Sequence, residues 1–209
     1  TEDGTEEILW MNTNSLGSVG DITDFGGLVA FTSSAVGGRE LWLSDGSGDG
    51  TFRVKDIRPG GSSSFPSELT VAGELLYFNA DDGTHGEELW ISDGTEDGTV
   101  MTRDVAPGAA ESYPNTIRAF GNKGIYSGED PTAGYEVFVS DGTAQGTGLL
   151  KDIYTGPDAS SADNFTVLGA MVLFSAYSEA YGNELWKTDG TTGGTTLAAD
   201  INNTPSGSN

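Results

Sequence analysis

The sequence predicts an all-β protein, a β-propeller of four-stranded antiparallel blades, on three observations: a 48-residue unit repeats four times, each unit holds four short strand-like runs, and no segment carries apolar residues at helical spacing. A single such unit would leave its apolar faces bare until neighbours stack on it. A β-solenoid-like array or a row of sandwiches is the alternative. Helical repeats are excluded by the missing 3.6-residue period.

The repeat is read from columns. Gly38, Gly86, Gly134 and Gly182 align without insertion or deletion, followed by Glu40, Glu88, Glu136 and Glu184, then Trp42, Trp90, Phe138 and Trp186. Next come Asp45, Asp93, Asp141 and Asp189, each followed by glycine, and later Asp56, Asp104, Asp152 and Asp200. The chain is expected to form one repeat domain with units near 12–57, 58–105, 106–153 and 154–201. Residues 1–11 remain as an extra N-terminal strand.

Within the second unit the strands are expected at Leu69-Thr70-Val71, Leu75 to Phe78, Glu88 to Ile91 and Val100 to Val105. The turn after the third run, Ser92 to Thr99, supplies glycines for positive φ and Asp and Thr side chains that hydrogen-bond nearby backbone. A tight antiparallel hairpin is the consequence. The Trp column is expected at equivalent buried positions between successive units.

The recurring segments GRELWLSDGS at 38–47, GEELWISDGT at 86–95, GYEVFVSDGT at 134–143 and GNELWKTDGT at 182–191 resemble the ELWxxDGT repeat proteins of bacteria. The second copy matches the motif in full and the fourth keeps Glu184-Leu185-Trp186 with Asp189-Gly190-Thr191; the first has Ser47 for Thr, and the third has Val137 and Phe138 for Leu and Trp. The resemblance implies a secreted or surface-attached repeat protein, extracellular or at the cell surface. No activity comes with it.

Composition narrows the partners. Nine Lys and Arg stand against 32 Asp and Glu, a formal charge of −23, which repels phosphate backbones and anionic headgroups, so nucleic acid is not an expected partner. No apolar run approaches the ~20 residues of a membrane span, and membrane insertion is not expected. Cysteine is absent, which removes disulfides and thiolate metal sites.

The extra strand Glu7, Ile8, Leu9, Trp10 and Met11 falls where a fourth strand belongs, and four units are already complete without it. Three readings are open: the chain is a fragment of a longer array, the strand adds a fifth strand to a blade, or it is an assembly strand donated head-to-tail to a neighbour, since an unpaired apolar edge invites pairing. Self-association into a filament is the expectation.

Catalytic chemistry finds little footing. His85, the single histidine, lies in a Gly-rich loop with Ala133 and Tyr181 at the aligned positions, so a Ser-His-Asp triad is not expected. The Asp45, Asp93, Asp141 and Asp189 column occurs in every unit, as turn-forming residues would. Asp81, Asp82, Glu87 and Glu88 gather on one acidic loop and are calcium candidates, although no EF-hand or nonapeptide pattern is present. The expectation is therefore a non-enzymatic extracellular structural or adhesive repeat protein. The alternative is a glycan-binding propeller lectin or glycosidase, with Tyr113, Tyr154 and Tyr181 stacking sugars.

Overall fold

The computed structural model describes residues 18–34 and 37–201. Among these, strands β1 (Val19–Phe25), β2 (Leu28–Ser33), β3 (Glu40–Ser44) and β4 (Thr51–Arg53) form the first sheet. The second contains β5 (Ser67–Ala72), β6 (Leu75–Asp81), β7 (Glu87–Ser92) and β8 (Val100–Met101). The third contains β9 (Asn115–Phe120), β10 (Lys123–Asp130), β11 (Gly134–Ser140) and β12 (Gly148–Lys151), and the fourth β13 (Asp163–Leu168), β14 (Met171–Ser178), β15 (Gly182–Thr188) and β16 (Thr196–Ala199). Every sheet is an antiparallel meander in chain order. Short strands separated by glycine turns give this arrangement because each turn reverses the chain within a few residues.

The sheets stand side by side, and alternate residues of each strand face the sheet before and the sheet after. Leu41, Leu43 and Ile57 of the first unit pack on Leu76, Phe78 and Trp90 of the second. Tyr77, Leu89 and Ile91 of the second meet Ile117, Tyr126 and Phe138 of the third. Val137, Leu150 and Ile153 of the third meet Phe165, Phe174 and Trp186 of the fourth.

The expected propeller is corrected by this packing. First strands touch in sequence, β1 on β5, β5 on β9 and β9 on β13, but no comparable contact joins β13 back to β1 among the described residues. The four sheets form an open tandem row, not a closed ring. The physical mark is exposure at the ends: Ile57 and Ile153 are 4% and 8% exposed beneath the next sheet, whereas Ile201, the same column in the last unit, is 71% exposed. Ile22, on the outward face of the first sheet, is 69% exposed.

The constant register also gives way in one place. Phe31 pairs with Trp42 and Ser33 with Glu40, whereas Phe78 pairs with Trp90 and Ala80 with Glu88. The connection between second and third strands is thus one residue shorter in the first unit, so β1 and β2 sit 47 residues before their counterparts, not 48. Each first strand carries a bulge, with Asp21, Glu68, Thr116 and Asn164 at positive φ. The offset of Asp21 from Glu68 repeats the same one-residue shift.

Trp90, Phe138 and Trp186 are buried on the third strands of their sheets, while Trp42 is only half-buried, stacked on Phe31 at 6.4 Å. The difference follows from position. Trp42 faces outward from the first sheet, where no described sheet packs.

Candidate functional site

The repeated motif residues build the scaffold first. Asp93 Oδ1 accepts the Thr95 backbone N–H at 2.9 Å and its hydroxyl at 2.7 Å, and Thr95 Oγ1 accepts the Gly98 N–H at 2.9 Å. The same geometry recurs at Asp45, Asp141 and Asp189. Glycine at 50, 98, 146 and 194 is required because a Cβ there would strike the aspartate carboxylate. Hydrogen bonds from the residue two positions on hold these exposed carboxyls below their ordinary range.

The glutamate column does something the sequence did not disclose. Glu40, Glu88 and Glu136 are fully buried on their third strands. Glu88 accepts the Ala106 N–H at 3.1 Å and the Ser112 hydroxyl at 2.6 Å. Glu136 accepts N–H groups of Ile153, Tyr154 and Ser160 at 3.1, 3.0 and 3.1 Å, and the Ser160 hydroxyl at 2.5 Å. Glu40 binds Ile57 and Ser64 in the same way. Each carboxylate thereby pins the connector that leads to the next sheet. Burial pushes the Glu88 carboxyl up to about 6 against the opposing donation from Ser112, and Glu40 and Glu136 move in the same direction for the same reason. The signal was in the sequence: Ser64, Ser112 and Ser160 each follow their glutamate by 24 residues.

Basic side chains add a second tie between units. Lys55 Nζ donates to the Thr99 carbonyl at 2.8 Å and to that of Glu96 at 3.2 Å, and the aligned Arg103 donates to the Thr147 carbonyl at 3.1 Å. Each clamps the Asp-Gly turn of the following sheet.

The calcium candidates are placed on separate tasks. Asp81 pairs with Arg58 and accepts the Gly83 N–H at 2.6 Å. Asp82 accepts the Thr84 and His85 N–H groups at 2.8 and 2.9 Å and faces His85 Nδ1 at 2.8 Å. Its hydrogen bond raises the His85 pKa. Glu87 is half-buried at the start of β7, its carboxyl raised by burial and then by the charges of Glu111 and Asp81, and Glu88 belongs to the connector. Among the described residues no group of three or more His, Asp or Glu side chains is arranged to hold a metal ion. The assembly strand Glu7, Ile8, Leu9, Trp10 and Met11 lies outside the described residues.

Clefts recur between successive sheets, and one of them breaks the repeat. Between the second and third sheets a cleft of about 420 Å³ is lined by Arg103, Val105, Asp130 and Phe138 among others. There Asp130 is occupied, accepting the Thr132 and Ala133 N–H groups at 2.8 and 3.1 Å. Between the third and fourth sheets a cleft of about 360 Å³ is lined by Ile153, Thr155, Ser178, Glu179, Ala180, Tyr181 and Trp186. Ser178 stands in the column of Asp82 and Asp130, and both its hydroxyl and the Trp186 indole Nε1 are buried without a hydrogen-bond partner. Tyr181 is exposed at the rim, and Tyr154, beside the lining residues Ile153 and Thr155, packs on Tyr177 with ring centres 5.4 Å apart. Tyr113 is exposed on the connector into the third sheet and lines neither cleft. The loop Ser178-Glu179-Ala180-Tyr181 could have been found as the place where the Asp column is lost.

The geometry defines a class, a repeat-sheet protein of four tandem antiparallel meanders, in general terms consistent with a structural or adhesive repeat protein. No family model matches the chain, and no curated protein does. The resemblance to ELWxxDGT proteins therefore gains no support, and the motif has a local reason to exist, since its Glu, Trp, Asp, Gly and Thr each serve the turn, the core or the connector. Solved structures do match in fold. One, from a study of two prolyl endopeptidases and the role of inter-domain dynamics in their catalysis and specificity, is 17% identical with a TM-score of 0.54 and covers 87% of this chain and 26% of its own. Another, the acylaminoacyl peptidase of Pyrococcus horikoshii, is 10% identical with a TM-score of 0.54 and covers 90% of this chain and 27% of its own. The chain thus spans about a quarter of these proteins, and at such identities the likeness concerns the fold alone. No helix among the described residues is long and apolar enough to cross a membrane.

Proposed function

We propose that this chain is an extracellular, non-enzymatic adhesive repeat protein that binds carbohydrate in the cleft between its third and fourth sheets. The observation that carries the reading is the Ser178 hydroxyl, buried without a hydrogen-bond partner on the wall of an open cleft with Tyr181 at its rim, beside a Trp186 indole N–H that is unpartnered as are those of Trp42 and Trp90. A buried donor without a partner costs about 1–3 kcal/mol, which a ligand supplying an acceptor recovers. A sugar offers such acceptors together with an apolar C–H face that packs on an aromatic ring. The Glu179 carboxylate adds an acceptor for sugar hydroxyls.

A glycan array followed by calorimetry tests this. Tyr181→Ala is expected to weaken the bound glycan roughly tenfold, in line with the loss of ~1.5 kcal/mol of ring packing, while Tyr113→Ala leaves affinity unchanged. Absence of any glycan ligand, or equal loss on both substitutions, would sink the proposal. Release of shortened glycan from the same samples would instead make the protein a glycosidase.

A second reading, self-association at a surface, draws on apolar side chains that are exposed among the described residues of the first and fourth sheets, Ile22, Leu168, Met171 and Ile201.

A further inference from the structure

The loop between β14 and β15 departs from its counterparts at the residue that opens it. In the second and third units that residue is an aspartate. Asp82 accepts the N–H groups of Thr84 and His85 at 2.8 and 2.9 Å, and Asp130 those of Thr132 and Ala133 at 2.8 and 3.1 Å. A carboxylate thus takes the backbone donors two and three residues on, and converging N–H groups of this kind form a concavity that suits an anion. In the fourth unit the opening residue is Ser178, and the corresponding donors are the N–H groups of Ala180 and Tyr181.

The backbone of the loop is unchanged. Ser178 pairs with Gly182 as Asp130 pairs with Gly134, so the two loops have the same length. The closing glycines Gly86, Gly134 and Gly182 have φ of 72°, 72° and 74°. The same two donors therefore recur in the fourth unit without their carboxylate. Ser178 does not replace it: its hydroxyl, carried on Cβ, sits one bond short of an aspartate oxygen and makes no hydrogen bond, although the residue is only 5% exposed. The Ala180 and Tyr181 N–H groups have no acceptor among the described residues.

Neighbouring columns change with it. Tyr177 stands where Asp81 and Glu129 stand, and Thr155 where Pro59 and Pro107 stand, so this cleft has a ring and a hydroxyl in place of carboxylates and prolines. Thr155, Ser178, Ala180 and Tyr181 line it, and both of its walls lie within the described residues. Residues 179–181 are exposed, which puts the loop where a ligand reaches it.

We propose that the carbohydrate bound in this cleft carries a carboxylate, as a uronate or other acidic sugar does, and that this carboxylate accepts the Ala180 and Tyr181 N–H groups in the place of the aspartate, with the Ser178 hydroxyl donating a third hydrogen bond. The inference rests on the carbohydrate reading and narrows its ligand. A carboxylate is the acceptor that the same loop holds in two earlier units, and charge-assisted hydrogen bonds to it are roughly twice as strong as those to a neutral sugar oxygen. The acidic surroundings, Glu179 included, disfavour a bare anion, so packing of the sugar ring on Tyr181 is part of the recognition.

Oligosaccharides containing uronate or sialate, each paired with its methyl ester, are arrayed against the full chain, and the tightest ligand is titrated by calorimetry at ~0.15 M ionic strength, where repulsion beyond ~8 Å is screened. The acid is expected to bind roughly tenfold or more tightly than its ester. Ser178→Asn, checked for folding by thermal unfolding, gives the two N–H groups an acceptor without adding charge. It is expected to weaken the acid roughly tenfold and to remove the preference over the ester. In proton–nitrogen correlation spectra of the wild-type chain, the Ala180 and Tyr181 amide protons are expected to move downfield when the acid binds, a readout that does not depend on the variant. Equal affinity for acid and ester, tighter binding of neutral glycans, an unchanged Ser178→Asn variant or unmoved Ala180 and Tyr181 amides overturns the inference and leaves the carbohydrate reading standing. Absence of binding by every glycan, acidic or neutral, overturns both.

Discussion

At the scale of single residues the buried glutamates set how the fold responds to pH. The Glu88 carboxyl is raised by burial to about 6, above the 4.5 of an unfolded chain, so its neutral form is favoured in the folded state. Its contribution is complete below 4.5 and is lost as pH rises through about 6, an effect of about 2 kcal/mol. Glu40 and Glu136 add in the same sense. The turn aspartates act oppositely: lowered below 3.8, their contribution is present above that value and lost as pH falls through their folded values. Melting temperature is expected to rise as pH falls from 7.5 to about 4.5 and to drop in stronger acid, and Glu88→Gln should flatten the first of these limbs. Thermal scans across pH check both. Ser112→Ala removes a hydrogen bond to the same carboxylate and should cost about 1.5–3 kcal/mol in denaturant titration when Glu88 is ionised, falling toward about 1 kcal/mol when it is protonated.

Among the strands and sheets, equivalence in sequence is not equivalence in environment. Trp90 lies between two sheets and Trp42 faces outward from the first, although both stand at the same place in the repeat. Trp90→Ala is expected to cost about 3–5 kcal/mol, as aromatic truncation in a core does. Trp42→Ala should cost roughly half that or less, since part of its surface is already solvated. Urea titrations of the two variants side by side decide the matter, and equal losses would mean that something covers the first sheet. The one-residue shortening before Glu40 belongs to this scale too, because it moves β1 and β2 against the repeat without disturbing the motif columns that follow.

For the whole molecule, an open row makes stability a sum of units and of the interfaces between them. The second and third sheets each have two covered faces and the fourth has one among the described residues, where Glu184 accepts the Ile201 N–H at 2.7 Å. Amide hydrogen exchange is expected to open β15 and β16 before β6, β7, β10 and β11. Uniform protection of all four sheets would contradict the open row.

The sequence by itself determined the all-β class, the four-stranded unit and the turn chemistry, since alternating apolar residues and Asp-Gly-Thr spacing act over a few residues of chain. Tertiary structure alone decided the rest. Whether the last sheet returns to the first depends on small rotations accumulated across three interfaces, and no local pattern records them. The role of Glu88 depended on Ser112 arriving from 24 residues away; the paired Glu and Ser columns record that spacing, but only the fold shows that the two side chains meet. The acidic loop of Asp81, Asp82, Glu87 and Glu88 looked like one site because its residues are neighbours in sequence, yet strand alternation and local turns send them to separate partners. The cleft around Ser178 and Trp186 was invisible for the converse reason: its walls come from two units, and only the packing of the third sheet against the fourth brings them together.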